Sequence, residues 1–338
     1  MPKAVIMAGG PGERFWPLTH KKFPKYLIRP NGKNSLLQST YKRLLGVYAK
    51  KDIFVVTTRE HLVFIRKELP ALGKNGVIVE PERRNTAAAI LFSTAFLQSK
   101  FGTQEVVSFF PADHLIERED FFKKTIQKAI AFARNKKSLV TIGVKPIFPA
   151  TGYGYIQTGA PAGDFSDIFH VRCFKEKPLH RVAVGYLKKI NFLWNGGIFT
   201  WKTGVFLEAM KKNTPKFYAL FNLKNISASY KKLPKLSVDY VLLEKADNIV
   251  VVKTSMDWCD MGSWDSFMDK AKKDAQKNHV YGNVCLEESR DSLFINYTKN
   301  PLIGFGLRDM IVVQTDQGTL LCRRTHSEEA ALLARRHT

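Results

Sequence analysis

From Lys3 to about Val144 the chain alternates short apolar segments with amphipathic ones, and this rhythm restricts its possible folds more than any other feature. The apolar segments Ala4–Ala8, Ile53–Thr57, Val77–Glu80, Glu105–Phe110 and Leu139–Gly143 read as strands. Between them, Ser35–Tyr48, Arg59–Glu68, Thr86–Ser99 and Asp120–Arg134 read as helices, and Asn85-Thr86 makes a good helix start. Such alternation builds βαβ units, so the expected class is α/β with a Rossmann-like, mixed but mainly parallel sheet. In these sheets ligands bind beyond the carboxyl ends of the strands. Three candidate strands end in notable residues: Gly9-Gly10, Glu80-Pro81, and Pro111-Ala112-Asp113-His114. They are expected to line one crevice.

The first of these ends is the richest. The strand Ala4–Ala8 runs into Gly9, Gly10 and Gly12, followed by Arg14 and then Pro24-Lys25. Glycines let backbone N–H groups approach phosphate oxygens, and the two cations balance phosphate charge. Two familiar phosphate loops are excluded. A Walker loop ends in Gly-Lys-Ser/Thr, whereas Gly12-Glu13-Arg14 stands here. A dinucleotide fingerprint needs a third small residue where Phe15 sits.

After Val144 the pattern changes. Thr151-Gly152-Tyr153-Gly154-Tyr155 opens a β-rich stretch, with strands expected at Val171–Phe174, Ile198–Trp201 and Ile249–Lys253 and helices at Thr203–Lys212 and Ser237–Lys245. Trp258–Trp264 reads as a loop opening a helix. Beyond Asn278, short apolar segments separated by turn residues lead to a helical tail, Ser327–Arg336. A boundary near Tyr281 is expected, giving a catalytic domain over 1–280 and a small domain over 281–338, whose strand spacing suits a few coils of a β-helix.

Charge bears on partners. Lys+Arg 53 against Asp+Glu 30 gives a net +23 and a pI near 9.8. The lysines recur in pairs along the whole chain (Lys50-Lys51, Lys136-Lys137, Lys231-Lys232) and form no basic tail. That distribution favours a basic surface steering small anionic substrates over nucleic acid as a partner. Four scattered cysteines without a CxxC pair suit a reducing compartment. No apolar run approaches the roughly 20 residues of a membrane span, and Met1-Pro2-Lys3 does not open a signal peptide. A cytoplasmic protein without membrane attachment is expected.

The pattern G-G-x-G-x-R-x-x-P-L-T followed by Pro-Lys resembles the signature of the sugar-nucleotide pyrophosphorylases. Glu80-Pro81 with Asn85-Thr86-Ala87, Phe110–His114, Thr151–Tyr155, Phe174–Pro178, Trp194–Phe199, Ser237–Tyr240 and Trp258–Gly262 follow in the order of that family. They are closer to its mannose-1-phosphate guanylyltransferase branch (GDP-mannose pyrophosphorylases) than to its thymidylyl or uridylyl branches. The resemblance covers almost the whole chain and implies transfer of GMP from GTP to mannose 1-phosphate, giving GDP-mannose and pyrophosphate. It implies a left-handed β-helix for the C-terminal domain. Arg14 and Lys25 would stabilise developing phosphate charge. Asp113 and Asp260 would hold Mg²⁺, which favours hard oxygen ligands. Ala8, Gly9, Gly10, Gly12, Glu80, Pro81, Asn85, Thr86 and Asp113 would bind the nucleotide. Gly152, Tyr153, Glu176, Lys177, Asn195 and Gly197 would bind the sugar phosphate. His114 reads as a packing or hydrogen-bonding residue with no catalytic role, and the tryptophans Trp194, Trp258 and Trp264 read as packing residues. One departure is Gly196, where family members often carry Ser. The alternatives are another hexose or heptose 1-phosphate, another nucleotide, or a silent sugar-nucleotide sensor; the presence of all four charged residues argues against the last. A chain ending at Thr338, without a His and Glu cluster in its tail, implies a single activity, and a homodimer is the expected assembly.

Overall fold

The computed structural model describes residues 1–337 apart from Pro11, Lys21, Asn31 and Asp164. The chain divides into two compact units. The first comprises Met1–Gly9, Thr40–Ala112 and Ile116–Trp258, and the second Gly10–Ser39, Asp113–Leu115 and Cys259–Thr338.

The first unit is built on a nine-stranded sheet. Its strands are β1 (Lys3–Met7), β2 (Ile53–Thr58), β3 (Val77–Glu80), β4 (Val106–Pro111), β5 (Leu139–Val144), β6 (Tyr155–Pro161), β7 (Ile168–Lys175), β8 (Phe192–Lys202) and β9 (Ile249–Thr254), in the spatial order β3-β2-β1-β4-β8-β5-β9-β7-β6. Four neighbours, β3-β2-β1-β4, are parallel, and their near-continuous apolar sequences match strands buried on both faces. Strand β8 enters antiparallel between β4 and β5, and β7 runs antiparallel beside β9, so the sheet is mixed. Helix α1 (Asn85–Phe101) is apolar nearly all round, and its Ala87–Leu91 run is buried in the core with Val5, Val107, Phe109 and Trp201. Helix α2 (Glu119–Asn135) is amphipathic and buries Phe122, Ile126, Ala129, Ile130 and Ala133.

Two expectations in this unit need correction. The strand expected at Ile198–Trp201 begins at Phe192, so Asn195-Gly196-Gly197 lies inside it. The register against β5 shifts between Thr141 and Gly143, and Gly197 takes φ +64°. The two glycines absorb an irregularity in a central strand, which in sequence looks like a break before one. The helix expected over Ser237–Lys245 is a π-helical turn, Asp239–Leu243, closed by Glu244 N–H donating to the Asp239 carbonyl at 2.9 Å.

The second unit has its own core of Phe15, Leu18, Ile28, Met261, Trp264, Phe267, Leu293, Ile295, Ile311 and Val313. Helix α3 (Trp264–Lys270) starts in a capping box made by Ser263 and Ser266. Strands β10 (His279–Tyr281), β11 (Val284–Glu287), β12 (Leu293–Asn296), β13 (Leu302–Phe305), β14 (Met310–Thr315) and β15 (Gly318–Arg323) follow, then helix α4 (Ser327–His337). Here β10, β12 and β14 are parallel in one sheet, β11 and β13 are parallel in another, and β15 turns back antiparallel on β14. Leu293 pairs with Ile311 and Val284 with Leu302, each 18 residues apart, whereas His279 pairs with Leu293, 14 residues apart. The opening loop is seated on this β-rich end. Trp264 Nε1 donates to the Trp16 carbonyl at 3.1 Å, and Thr315 Oγ1 to the Pro17 carbonyl at 3.2 Å.

Candidate functional site

In the second unit the four charged residues singled out in the sequence come together. Pro24 is extended (ψ 154°) and hands the chain to the short turn Lys25–Leu27, in which Lys25 is buried. Lys25 Nζ meets Asp113 Oδ2 at 2.7 Å, donates to the Asp260 carbonyl at 2.8 Å and lies 3.5 Å from Asp260 Oδ1. Arg14 reaches the same place, since a Cβ built on Gly262 would stand 3.6 Å from both Arg14 Nη1 and Asp260 Oδ2. Gly12 (φ +69°) packs directly on Lys25, where a Cβ would fall 2.3 Å from the lysine Cβ. Thr19 Oγ1 donates to the Gly12 carbonyl at 2.6 Å and pins the loop there.

His114 Nε2 stands 3.5 Å from Asp260 Oδ1, and one ligand atom each of Asp113, His114 and Asp260 lies within 4.8 Å of the others. His114, read as packing or hydrogen-bonding, stands in this cluster, and its position directly after Asp113 was the available signal. Two carboxylates suit a hard divalent cation, with phosphate oxygens and waters completing the shell; the imidazole would also suit a transition ion. Burial opposes ionisation of Asp260, but Lys25, His114 and Arg14 outweigh it and hold the carboxyl well below the usual range. Burial also opposes charge on Lys25, and Asp113 and Asp260 outweigh it and raise the ammonium. Lys25 and Asp260 are thus both charged at neutral pH, as binding a cation and a polyphosphate requires.

Gly10 also lies in the second unit, and the first unit holds the other candidates in two groups. Ala8 is engaged with β2, its N–H donating to the Val56 carbonyl at 2.9 Å and its carbonyl accepting from Thr57 Oγ1 at 2.7 Å. A Cβ on Gly9 would lie 3.0 Å from Glu80 Oε1. Glu80 is buried and accepts from the Tyr230 hydroxyl at 2.5 Å. Burial pushes the Glu80 carboxyl up to about 7, although Tyr230 and Arg83 pull the other way. Pro81 and Asn85 are exposed, and Asn85 (φ +67°) accepts from Thr86 N–H at 2.7 Å. Thr86 Oγ1 accepts from Val238 N–H at 3.0 Å, so this hydroxyl ties α1 to the segment before the π turn.

The sugar-phosphate candidates gather around Gly154. A Cβ there would meet Glu176 Oε2 at 2.6 Å and Asn195 Cβ at 3.3 Å, so the missing side chain makes room for both. Asn195 N–H donates to the Gly154 carbonyl at 2.8 Å. Glu176 is buried and ion-paired with Lys177 at 3.0 Å, and Lys177 adopts φ +42°. Gly197 N–H donates to Asn195 Oδ1 at 3.2 Å. Tyr153, adjacent to Gly152, packs edge-on against Trp194 and Trp258 with ring centroids 5.2 and 5.1 Å away. Trp194, Trp258 and Trp264 are buried, in keeping with packing. Sequence reasoning missed Tyr230, Asp239 and Glu244. Asp239 stood in a motif without a role, and a tyrosine 150 positions from Glu80 carried no signal.

The model of the family described as Nucleotidyl transferase matches residues 3–277, which sets the class. A mannose-1-phosphate guanylyltransferase of Salmonella muenchen is 34% identical over 94% of this chain and 69% of its own. One from Sinorhizobium fredii (strain NBRC 101917 / NGR234) is 30% identical over 99% of this chain and 68% of its own. The chain belongs to the nucleotidyl transferases, within the mannose-1-phosphate guanylyltransferase family. A Thermus thermophilus crystal structure described as mannose-1-phosphate geranyltransferase superposes with a TM-score of 0.87 at 25% identity, covering 99% of both chains.

Proposed function

We propose that this chain transfers GMP from GTP to mannose 1-phosphate, forming GDP-mannose and pyrophosphate. Family membership supports the reaction, and the observation that carries the residue assignment is the Lys25–Asp113–Asp260 cluster with Arg14 beside it. In this reading a phosphate oxygen of mannose 1-phosphate attacks the α-phosphorus of GTP. The new O–P bond forms as the bond to the oxygen bridging toward the β-phosphorus breaks, and that electron pair leaves with pyrophosphate. Phosphoryl-type transfer asks mainly for positioning and charge neutralisation.

Asp113 and Asp260 would hold a divalent cation, Mg²⁺ by the hardness of the donors, with His114 alongside. When bound, the ion would neutralise charge on the phosphates. Lys25 and Arg14 present fixed positive charge to the polyphosphate, and with their donors pre-aimed they reorganise little during reaction. Gly10 and Gly12 give phosphates access to backbone N–H groups, and Gly12 also lets the loop lie on Lys25. Ala8, Gly9, Glu80, Pro81, Asn85 and Thr86 would form the guanine side. Glu80 and backbone carbonyls suit the N1–H and N2–H donors of guanine. Gly152, Tyr153, Glu176, Lys177, Asn195 and Gly197 would take the sugar phosphate, with Glu176 and Asn195 facing hydroxyls and Lys177 the phosphate.

The C-terminal strands read as short coils of a left-handed β-helix over 281–338, following a catalytic domain over 1–280; the end of the family match at residue 277 supports that boundary. No helix among the described residues is long and apolar enough to cross a membrane. A cytoplasmic homodimer acting on small molecules, without nucleic acid, completes the proposal. The test is pyrophosphate release across a panel of nucleoside triphosphates and sugar 1-phosphates. Mannose 1-phosphate with GTP should be turned over best; no turnover of that pair would overturn the reading.

A further inference from the structure

The π-helical turn Asp239–Leu243 and the residue that closes it carry two carboxylates whose partners are residues of the sugar group. Asp239 is buried, and its Oδ1 accepts from Asn195 Nδ2 at 3.0 Å. Asn195 Oδ1 in turn accepts from Thr141 Oγ1 at 3.1 Å and from Gly197 N–H at 3.2 Å. With the oxygen taken by two donors and the amide nitrogen turned to Asp239, the Asn195 side chain has a single orientation. At the other end of the turn, Glu244 Oε1 accepts from the backbone N–H of Glu176 at 3.0 Å. The i→i+5 bond from Glu244 N–H to the Asp239 carbonyl sets the spacing of these two residues. An ordinary α-helix over Ser237–Lys245, as its sequence pattern suggests, would close with i→i+4 bonds and rotate one carboxylate away from its partner. Single π turns are rare and concentrate at functional sites.

We propose that Asp239 and Glu244 are positioning residues for the sugar phosphate: Asp239 fixes the Asn195 amide and Glu244 fixes the backbone of Glu176, so that one π turn orients both. This rests on the reading of Glu176 and Asn195 as sugar-phosphate ligands. Two further observations accord with it. Burial first, and then the nearby Glu176, push the Asp239 carboxyl up, while Lys177 and Ser237 oppose that. The turn is also anchored from behind, because Val238 N–H donates to Thr86 Oγ1 and Ala87 N–H to the Leu236 carbonyl at 3.2 Å.

The test compares truncation with isosteric replacement. Asp239→Ala and Glu244→Ala should each raise the KM for mannose 1-phosphate about tenfold, the size expected for one lost orienting hydrogen bond in a partly charged network. The KM for GTP should stay within about twofold, since neither residue belongs to the nucleotide group. Asp239→Asn and Glu244→Gln retain the acceptor oxygens and should restore the sugar-phosphate KM to within about threefold of wild type. A merely structural role would not give this pattern, because loss of folded protein changes both KM values little and lowers only the active fraction. Equal effects of the alanine and isosteric variants, or equal rises in both KM values, would overturn the proposal. Glu176→Gln and Asn195→Ala run in parallel separate the two layers. If they leave the sugar-phosphate KM unchanged, the sugar-site reading has failed; if they raise it while Asp239→Ala and Glu244→Ala do not, only the present inference has failed.

Discussion

Replacing Gly12 by alanine should damage the protein far more than the same change two positions earlier. Gly12 has φ +69°, and its Cβ would stand 2.3 Å from Lys25 Cβ and 3.0 Å from Lys25 N. A left-handed conformation costs an L-residue about 1–2 kcal/mol. Forcing a methyl group against backbone and a Cβ, neither of which can swing away, adds about 1–3 kcal/mol. Together they give about 3 kcal/mol, or a displaced Lys25 if the loop lifts to relieve the clash. Gly10 is the control, because nothing lies within 4 Å of a Cβ there; Gly10→Ala should stay within about 0.5 kcal/mol. Urea unfolding followed by tryptophan fluorescence reads the stability, with Trp16 and Trp264 reporting on the unit that carries Gly12. Turnover of GTP with mannose 1-phosphate reads the Lys25 geometry. Gly12→Ala should lose either stability or kcat, and Gly10→Ala should keep its stability. Equal unfolding midpoints together with equal turnover for the two variants would refute the account of how the loop is seated.

Other expectations follow from the charged groups. Lys25→Met removes the cation between Asp113 and Asp260 and should lower kcat by about 10²–10³, the usual size for losing one preorganised stabiliser of developing charge. Its KM for mannose 1-phosphate should change little. Tyr230→Phe leaves the buried Glu80 without its hydroxyl donor and should cost about 1–3 kcal/mol in thermal unfolding. Glu80 also sets a pH dependence. Its carboxyl has an ordinary value of 4.5 and is raised to about 7 in the folded chain. Between these values the folded state holds a proton that the unfolded state has lost, so this group makes stability fall as pH rises through the window, by at most about 3 kcal/mol. Chemical denaturation at about pH 4.5 and about pH 8, either side of that window, should find Glu80→Gln gaining on wild type at the higher pH; a gain only at the lower pH would reverse the sign and contradict the burial argument.

How far the sequence could be read depended on the range of each interaction. The parallel half of the sheet was legible because strands such as Ile53–Thr58, fully buried in the core, leave a continuous apolar run. The Gly12–Arg14–Lys25 loop was legible because its residues lie close together. Asp260, far along the chain, joins Lys25 only through folding, and its role came from resemblance instead of spacing. Tyr230 and Glu244 were illegible for the same reason, since each acts on a partner far away in sequence. Strand β8 was shortened in the reading because Gly196-Gly197 look like a break, whereas pairing with β5 resumes on either side of them, at Trp194 and Asn195 and again at Phe199 and Thr200, and so continues the strand past them. The π turn was read as a helix because apolar periodicity does not distinguish i→i+4 from i→i+5 closure over so few residues.

The most direct measurement follows GDP-mannose formation from GTP and mannose 1-phosphate by anion-exchange chromatography while Mg²⁺ is titrated, for wild type, Asp113→Asn and Asp260→Asn. Wild type should form product in proportion to Mg²⁺ occupancy and lose it on chelation. Each variant should need far more Mg²⁺ and fall at least about 10²-fold in kcat at saturation. Undiminished GDP-mannose synthesis by both variants at the wild-type Mg²⁺ midpoint would contradict the assignment of this cluster as the reaction's metal site.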